Sequence, residues 1–167
     1  MTGQIITRPD FDGIVCAVLL KEVSGRQVPV KWVQPNQMQK GLVEVGPKDV
    51  VANLPLPKPC ALWFDHHVSN QVDFPFEGMY RIAPSAAGLV FEFFRDRIDA
   101  RYEELVQQAD KIDAAQLNPV EIVHPEKYPY ILISMTIYGN KFEDLVYCDH
   151  LVELFRCCPV ELVMVDP

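Results

Sequence analysis

A chain of 167 residues with 49% hydrophobic and 23% charged side chains has the balance of one globular domain with a sizeable core, and no apolar run approaches the roughly 18 residues that would span a membrane. Its net charge of −8, from 23 acidic against 15 basic residues and with no basic stripe, argues against wrapping a long nucleic acid. Five cysteines without CxxC spacing exclude a disulfide framework and, with no visible signal peptide, point to a reducing cytoplasm.

In chain order, residues 3–7 are short, β-rich and bounded by Pro9, which predicts a first strand. Arg8-Pro9-Asp10-Phe11-Asp12-Gly13 follows it. From Ile14 to Leu20 the chain is apolar nearly all round, so a helix near 13–24 is expected to be buried against the sheet rather than half exposed. Further strands are predicted near 28–33, 48–53 and 60–65, with a helix near 38–45. Pro55, Pro57 and Pro59 form a stiff connector into the last of these strands, which ends in Asp65-His66-His67. Ser85 opens a helix expected to run to 98. In a helix near 101–113, Tyr102, Leu105, Val106, Ala109 and Ile112 recur at helical spacing, with Asp113 toward that apolar face and Asp110 on its edge. Beyond Pro119 the chain reads as helical, including about 143–156. Alternating strands and helices predict an α/β fold, a doubly wound and mainly parallel sheet with helices on both faces. The α/β core is expected over about 1–115 and a helical extension over about 116–167.

Asp10, Asp12 and Asp65-His66-His67 thus fall at the C-terminal ends of strands, where open α/β sheets bind ligands. Helix N-termini beside them favour anions such as phosphate. Carboxylate oxygens and imidazole nitrogens together suit a divalent ion, Mn²⁺, Mg²⁺ or Zn²⁺. The plainer alternatives are that the triplet is a surface turn and that Asp12 merely caps its helix. For Asp110 and Asp113 the alternative is a helix-end carboxylate paired with a base. An inward carboxylate needs a cation or donors, which favours Asp113 as a ligand and Asp110 behind it. For Ser85, N-capping and phosphate contact both stay open.

Pro9-Asp10-Phe11-Asp12 and Asp65-His66-His67, in this order and on these elements, resemble the DHH phosphoesterase superfamily, especially its exopolyphosphatase-related members. The resemblance implies that 1–167 is a DHH-type catalytic domain performing metal-dependent hydrolysis of a phosphoester or phosphoanhydride. The substrate class is a small phosphate compound: polyphosphate, pyrophosphate, a short oligonucleotide or a cyclic dinucleotide. The ion implied is Mn²⁺ or Mg²⁺. Asp12, His66 and Asp113 (or Asp110) would hold the principal ion, and Asp10 with Asn53 would hold or orient a second. His67 and Arg8 would engage the phosphate, and Asp65 completes the catalytic triplet. Two positions depart from the family pattern: Ile6 stands where many members carry a histidine, and Asn53 where they carry a metal-bridging Asp. An amide offers only a neutral oxygen there. One good metal site and one poor one are therefore expected. The alternative is a catalytically degenerate module that binds a phosphate or nucleotide. Family members usually carry a second, substrate-binding domain; with the chain stopping at Val165-Asp166-Pro167, a fragment or an unusually short member is expected.

Overall fold

The computed structural model describes residues 3–25, 27–56 and 59–165. Pro57 of the expected connector and the final Asp166-Pro167 lie outside the described residues. Five short strands, β1 (Ile5–Thr7), β2 (Val30–Trp32), β3 (Val50–Ala52), β4 (Leu62–Asp65) and β5 (Gly78–Tyr80), form one sheet. Their order is β2-β1-β3-β4-β5, and every neighbouring pair is parallel. Because side chains alternate along a strand, Ile5, Val50, Ala52 and Phe64 enter the larger core, while Ile6, Val51 and Trp63 enter a smaller core on the other face. The register sets Ile6 beside Val51 and Val51 beside Trp63, so the smaller core is a continuous row.

The larger core lies under helices. α1 (Phe11–Ser24) is buried from Phe11 to Leu20 because it packs against β1 and is covered in turn by α3 (Ala86–Phe93), α4 (Glu103–Asp113) and α7 (Phe142–Cys157). An all-round apolar sequence is what a helix in that middle layer requires. Each fully buried Ile or Leu there contributes roughly 1.5–3 kcal/mol. The opposite face is covered by Met38 of α2 (Pro35–Gln39) and by irregular chain carrying Val43, Val45, Leu56, Val72 and Phe76. Trp63 anchors that face: its ring stacks on Tyr80 at 5.2 Å and meets Phe76 edge-on at 4.8 Å, and its Nε1 donates to the Leu54 carbonyl at 2.8 Å. After Asn118 come α5 (Pro119–Val123), α6 (Pro129–Ser134), α7 and α8 (Val160–Val163), the expected helical C-terminal part.

Three elements differ from expectation. α2 starts earlier and ends sooner than 38–45: Pro35 pre-sets the first turn, and Gly41, at φ +65°, turns the chain out just past the end. The helix expected over 85–98 ends at Phe93 and continues only as turns. β5 was not anticipated, since three residues carry too little alternation to register as a strand. Gly78 makes it possible, with φ +121° and so close an approach to β4 that a Cβ would sit 2.0 Å from the Trp63 carbonyl oxygen. No described helix is long and apolar enough to cross a membrane.

Candidate metal and phosphate site

The chain leaves β1 toward β2 on one side and returns to β3 on the other, so the strand order reverses between β1 and β3. Open α/β sheets bind ligands outside the strand ends at such a reversal. The segments following β1, β3 and β4 meet there, carrying Arg8 to Asp12, Asn53 and Asp65 to His67.

Asp10, not Asp12, is the N-cap of α1: its Oδ1 accepts from the Gly13 amide at 2.8 Å. The same oxygen accepts from Asn53 Nδ2 at 3.0 Å, and Oδ2 pairs with Arg8 Nε at 2.9 Å. Burial pushes the Asp10 carboxyl up to about 6, against the opposing pull of Arg8 and of the Gly13 amide. Gly13 has to be glycine, because a Cβ would lie 1.9 Å from the Arg8 carbonyl oxygen.

Asp12 is buried two residues further on, and its carboxylate accepts from the Ala86 and Ala87 amides at 3.0 and 2.8 Å. The free N–H groups of α3 thus hold a carboxylate of α1 rather than a ligand. Burial first, then the neighbouring Asp113 and Asp10, raise its pKa well above the usual carboxylate range.

His66 is 9% exposed, and its Nδ1 lies 3.0 Å from the Ala83 carbonyl oxygen. A carbonyl only accepts, which assigns the proton to Nδ1 and leaves a lone pair on Nε2 in the neutral ring. Nε2 is fully buried, 3.2 Å from Asp113 Oδ2 and 3.7 Å from Asp12 Oδ2, yet makes no aligned hydrogen bond. A lone pair facing two carboxylate oxygens is repulsive unless a cation lies among them. The ligand atoms of Asp12, His66 and Asp113 fall within 4.8 Å of one another, a set of two hard oxygens and one imidazole nitrogen that fits a divalent ion.

Asp65, His66 and His67 also group within 4.8 Å, but the Asp65 oxygens are already taken. Asp65 is fully buried. Its Oδ1 accepts from the His66 and His67 amides, at 2.8 and 3.3 Å, and from His67 Nδ1 at 2.8 Å, while Oδ2 accepts from Asn70 Nδ2 at 2.5 Å. Asp65 therefore shapes the turn and aims His67. The hydrogen bond from Asp65 is the main cause of a raised His67 pKa. Tyr80 on β5 adds a hydrogen bond to the His67 carbonyl at 3.0 Å.

Asp110 lies one turn before Asp113, and its Oδ1 accepts from Ser85 Oγ at 2.6 Å. Ser85 is buried and also accepts from the Gly88 amide at 2.9 Å as the N-cap of α3. Of the two readings open for this residue, its hydroxyl takes up the cap and donates to Asp110. Asn53 sits just past β3 at φ +55°, with its Oδ1 buried and unpartnered. Sequence reasoning missed Asn70, Tyr80, the Ala83 carbonyl and the Ala86 and Ala87 amides. A side chain five residues past Asp65 at the end of a single 3-10 turn, and backbone groups of a remote helix start, leave no periodic signal.

No known family profile and no curated protein matches the chain. Among solved structures it is similar to a pGpG-specific phosphodiesterase, PggH from Vibrio cholerae, with a TM-score of 0.81 and 26% identity over 99% of this chain. The match covers 56% of that chain, so the present chain spans little more than half the length of its structural neighbour.

Proposed function

We propose that residues 1–167 form a DHH-type catalytic domain that hydrolyses a short phosphate-linked substrate, a linear dinucleotide such as pGpG being the first to test. The observation that carries this reading is the buried, unpartnered Nε2 of His66 set between the carboxylates of Asp12 and Asp113. The likeness to a pGpG-specific phosphodiesterase supports it. In this reading Asp12, His66 and Asp113 hold one divalent ion, Mn²⁺ or Mg²⁺. When bound, such an ion makes hydroxide available near neutral pH and offsets charge on the phosphoryl oxygens.

The remaining roles belong to the chain itself. Asp65, with Asn70 behind it, fixes His67 so that the ring nitrogen not tied to Asp65 meets a phosphate oxygen. A raised pKa keeps that imidazole protonated further into neutral pH, which suits holding an anion. The Ala86 and Ala87 amides fix Asp12, and Ser85 fixes Asp110 behind Asp113. In the overall reaction water adds across one P–O bond, its oxygen to phosphorus and a proton to the leaving oxygen. Free cysteines among the described residues suit the reducing cytoplasm expected from sequence.

Chromatographic assay of pGpG cleavage with Mn²⁺ or Mg²⁺ tests the reading. Cleavage lost in both Asp12→Ala and His66→Ala is the expected result; cleavage unchanged in either overturns it. One observation favours the second reading, a binding module without turnover: Asn53 presents its amide nitrogen to Asp10, where the family resemblance expects a carboxylate. Tight pGpG binding with no cleavage would select it.

A further inference from the structure

The Asp10 corner of the crevice already holds a cation, the Arg8 guanidinium. Asp10 accepts from Gly13 N, Asn53 Nδ2 and Arg8 Nε at 2.8, 3.0 and 2.9 Å, so both of its oxygens are engaged by N–H donors. The Asn53 nitrogen facing it has no lone pair to give a metal. Ile6, the nearest preceding position on β1 that the family resemblance marks for a ligand, is fully buried in the smaller core. Among the described residues, the groups of acids, histidines and cysteines close enough to share an ion are Asp12-His66-Asp113 and Asp65-His66-His67, and Asp10 belongs to neither. A divalent ion at Asp10 would have to displace Arg8 and turn the Asn53 amide over.

We infer that this site takes one divalent ion, at Asp12, His66 and Asp113, and that Arg8 supplies the second positive charge, binding substrate phosphate oxygens directly. The inference rests on the metal reading above. Arg8 suits the task chemically. Its guanidinium carries five N–H donors in a planar fork matched to phosphate. Its side chain is 39% exposed, and pairing through Nε anchors one edge of the fork. Asp10 is then a positioning residue: it receives the start of α1, the β3 end and Arg8 on one carboxylate and holds the three in place.

The test is a Mn²⁺ titration of the full chain, followed by calorimetry and electron paramagnetic resonance, with no substrate present. The expected result is one Mn²⁺ per chain and a magnetically isolated six-line spectrum. Two ions per chain with an exchange-coupled spectrum would overturn this inference and leave the proposed function standing; no bound ion would overturn both. The role of Arg8 is read from orthophosphate affinity for the Mn²⁺-loaded chain, measured by phosphorus line broadening. Arg8→Ala is expected to weaken it about 10- to 100-fold, with Mn²⁺ affinity unchanged and partial recovery in Arg8→Lys. Unchanged orthophosphate affinity in Arg8→Ala overturns the assignment. The double variant Arg8→Ala, Asn53→Asp, with the guanidinium gone and a carboxylate added, is expected to gain a second, coupled Mn²⁺. A single ion in that variant also counts against Arg8 as its replacement.

Discussion

Replacing His66 with Ala removes the nitrogen donor from the Asp12-His66-Asp113 group and leaves two carboxylates facing each other across a void. Mn²⁺ affinity is expected to fall at least about 100-fold, more than the 10- to 100-fold typical of losing a residue behind a ligand; calorimetry reads the change. Asn70→Ala acts one step further out. It frees Asp65 Oδ2 and loosens the aim of His67 without touching the ion group, so kcat on pGpG should drop about 10- to 100-fold while Mn²⁺ affinity holds. The same residues set a pH dependence. Asp10, at about 6, and His67, above its ordinary 6.5, bind protons more tightly in the folded chain than in the unfolded one. As pH falls the folded state takes up these protons first, so metal-free stability is expected to rise through that range and to be lost again as pH climbs past it. Acids held below their ordinary values, such as Glu121 and Asp144, reverse the trend only in stronger acid, below about 4.5. Urea midpoints of the metal-free chain at about pH 5.5 and about pH 8 check the sign.

The elements matter through what they bring to the crevice. α1 was readable because a run without a polar face has one comfortable place, between the sheet and other helices. α2 and β5 were not, because a turn of helix and a three-residue strand are decided by neighbours rather than by their own pattern. β5 shows how such a piece reaches the site: Gly78 lets it lie against Trp63, and Tyr80, two residues on, then bonds the His67 carbonyl. Gly78→Ala forces a Cβ onto backbone at a left-handed φ. It is expected to cost about 2–4 kcal/mol in urea unfolding and to lower kcat more than a remote change of equal destabilisation would. An equal drop in both would mean that Tyr80 contributes nothing to the aim of His67.

For the molecule as a whole, the Asp12-His66-Asp113 group brings together α1 through Asp12, the end of β4 through His66 and the end of α4 through Asp113. In the proposed reading, an ion bound there is expected to stabilise the folded form by linkage, roughly 2.7 kcal/mol when Mn²⁺ stands at 100 times its Kd. For a chain of this length that is a rise in Tm of about 5–10 °C, reversed by chelator. A thermal scan with Mn²⁺ and with EDTA checks it, and coincident curves would mean that these three elements share no ion. A bound divalent cation also moves a chain of net charge −8 toward accepting a phosphoanion.

By itself the sequence determined the parallel α/β class and the strand ends on which the polar residues fall; the grouping of Asp12 and His66 with a later acid came only as what the family resemblance implies. The class and the strand ends follow from local periodicity and from residue chemistry, which are written along the chain. The tertiary structure alone decided which acid of α4 meets His66: Asp113 comes within 3.2 Å, while Asp110 turns to Ser85. It decided that Asp65 bonds and aims His67, and that Ser85 caps a helix. It also set Arg8 and Asn53 on the same carboxylate, though they stand 45 positions apart in the chain. These choices depend on angles and on competition for donors between segments distant in sequence, and a linear pattern holds no record of either.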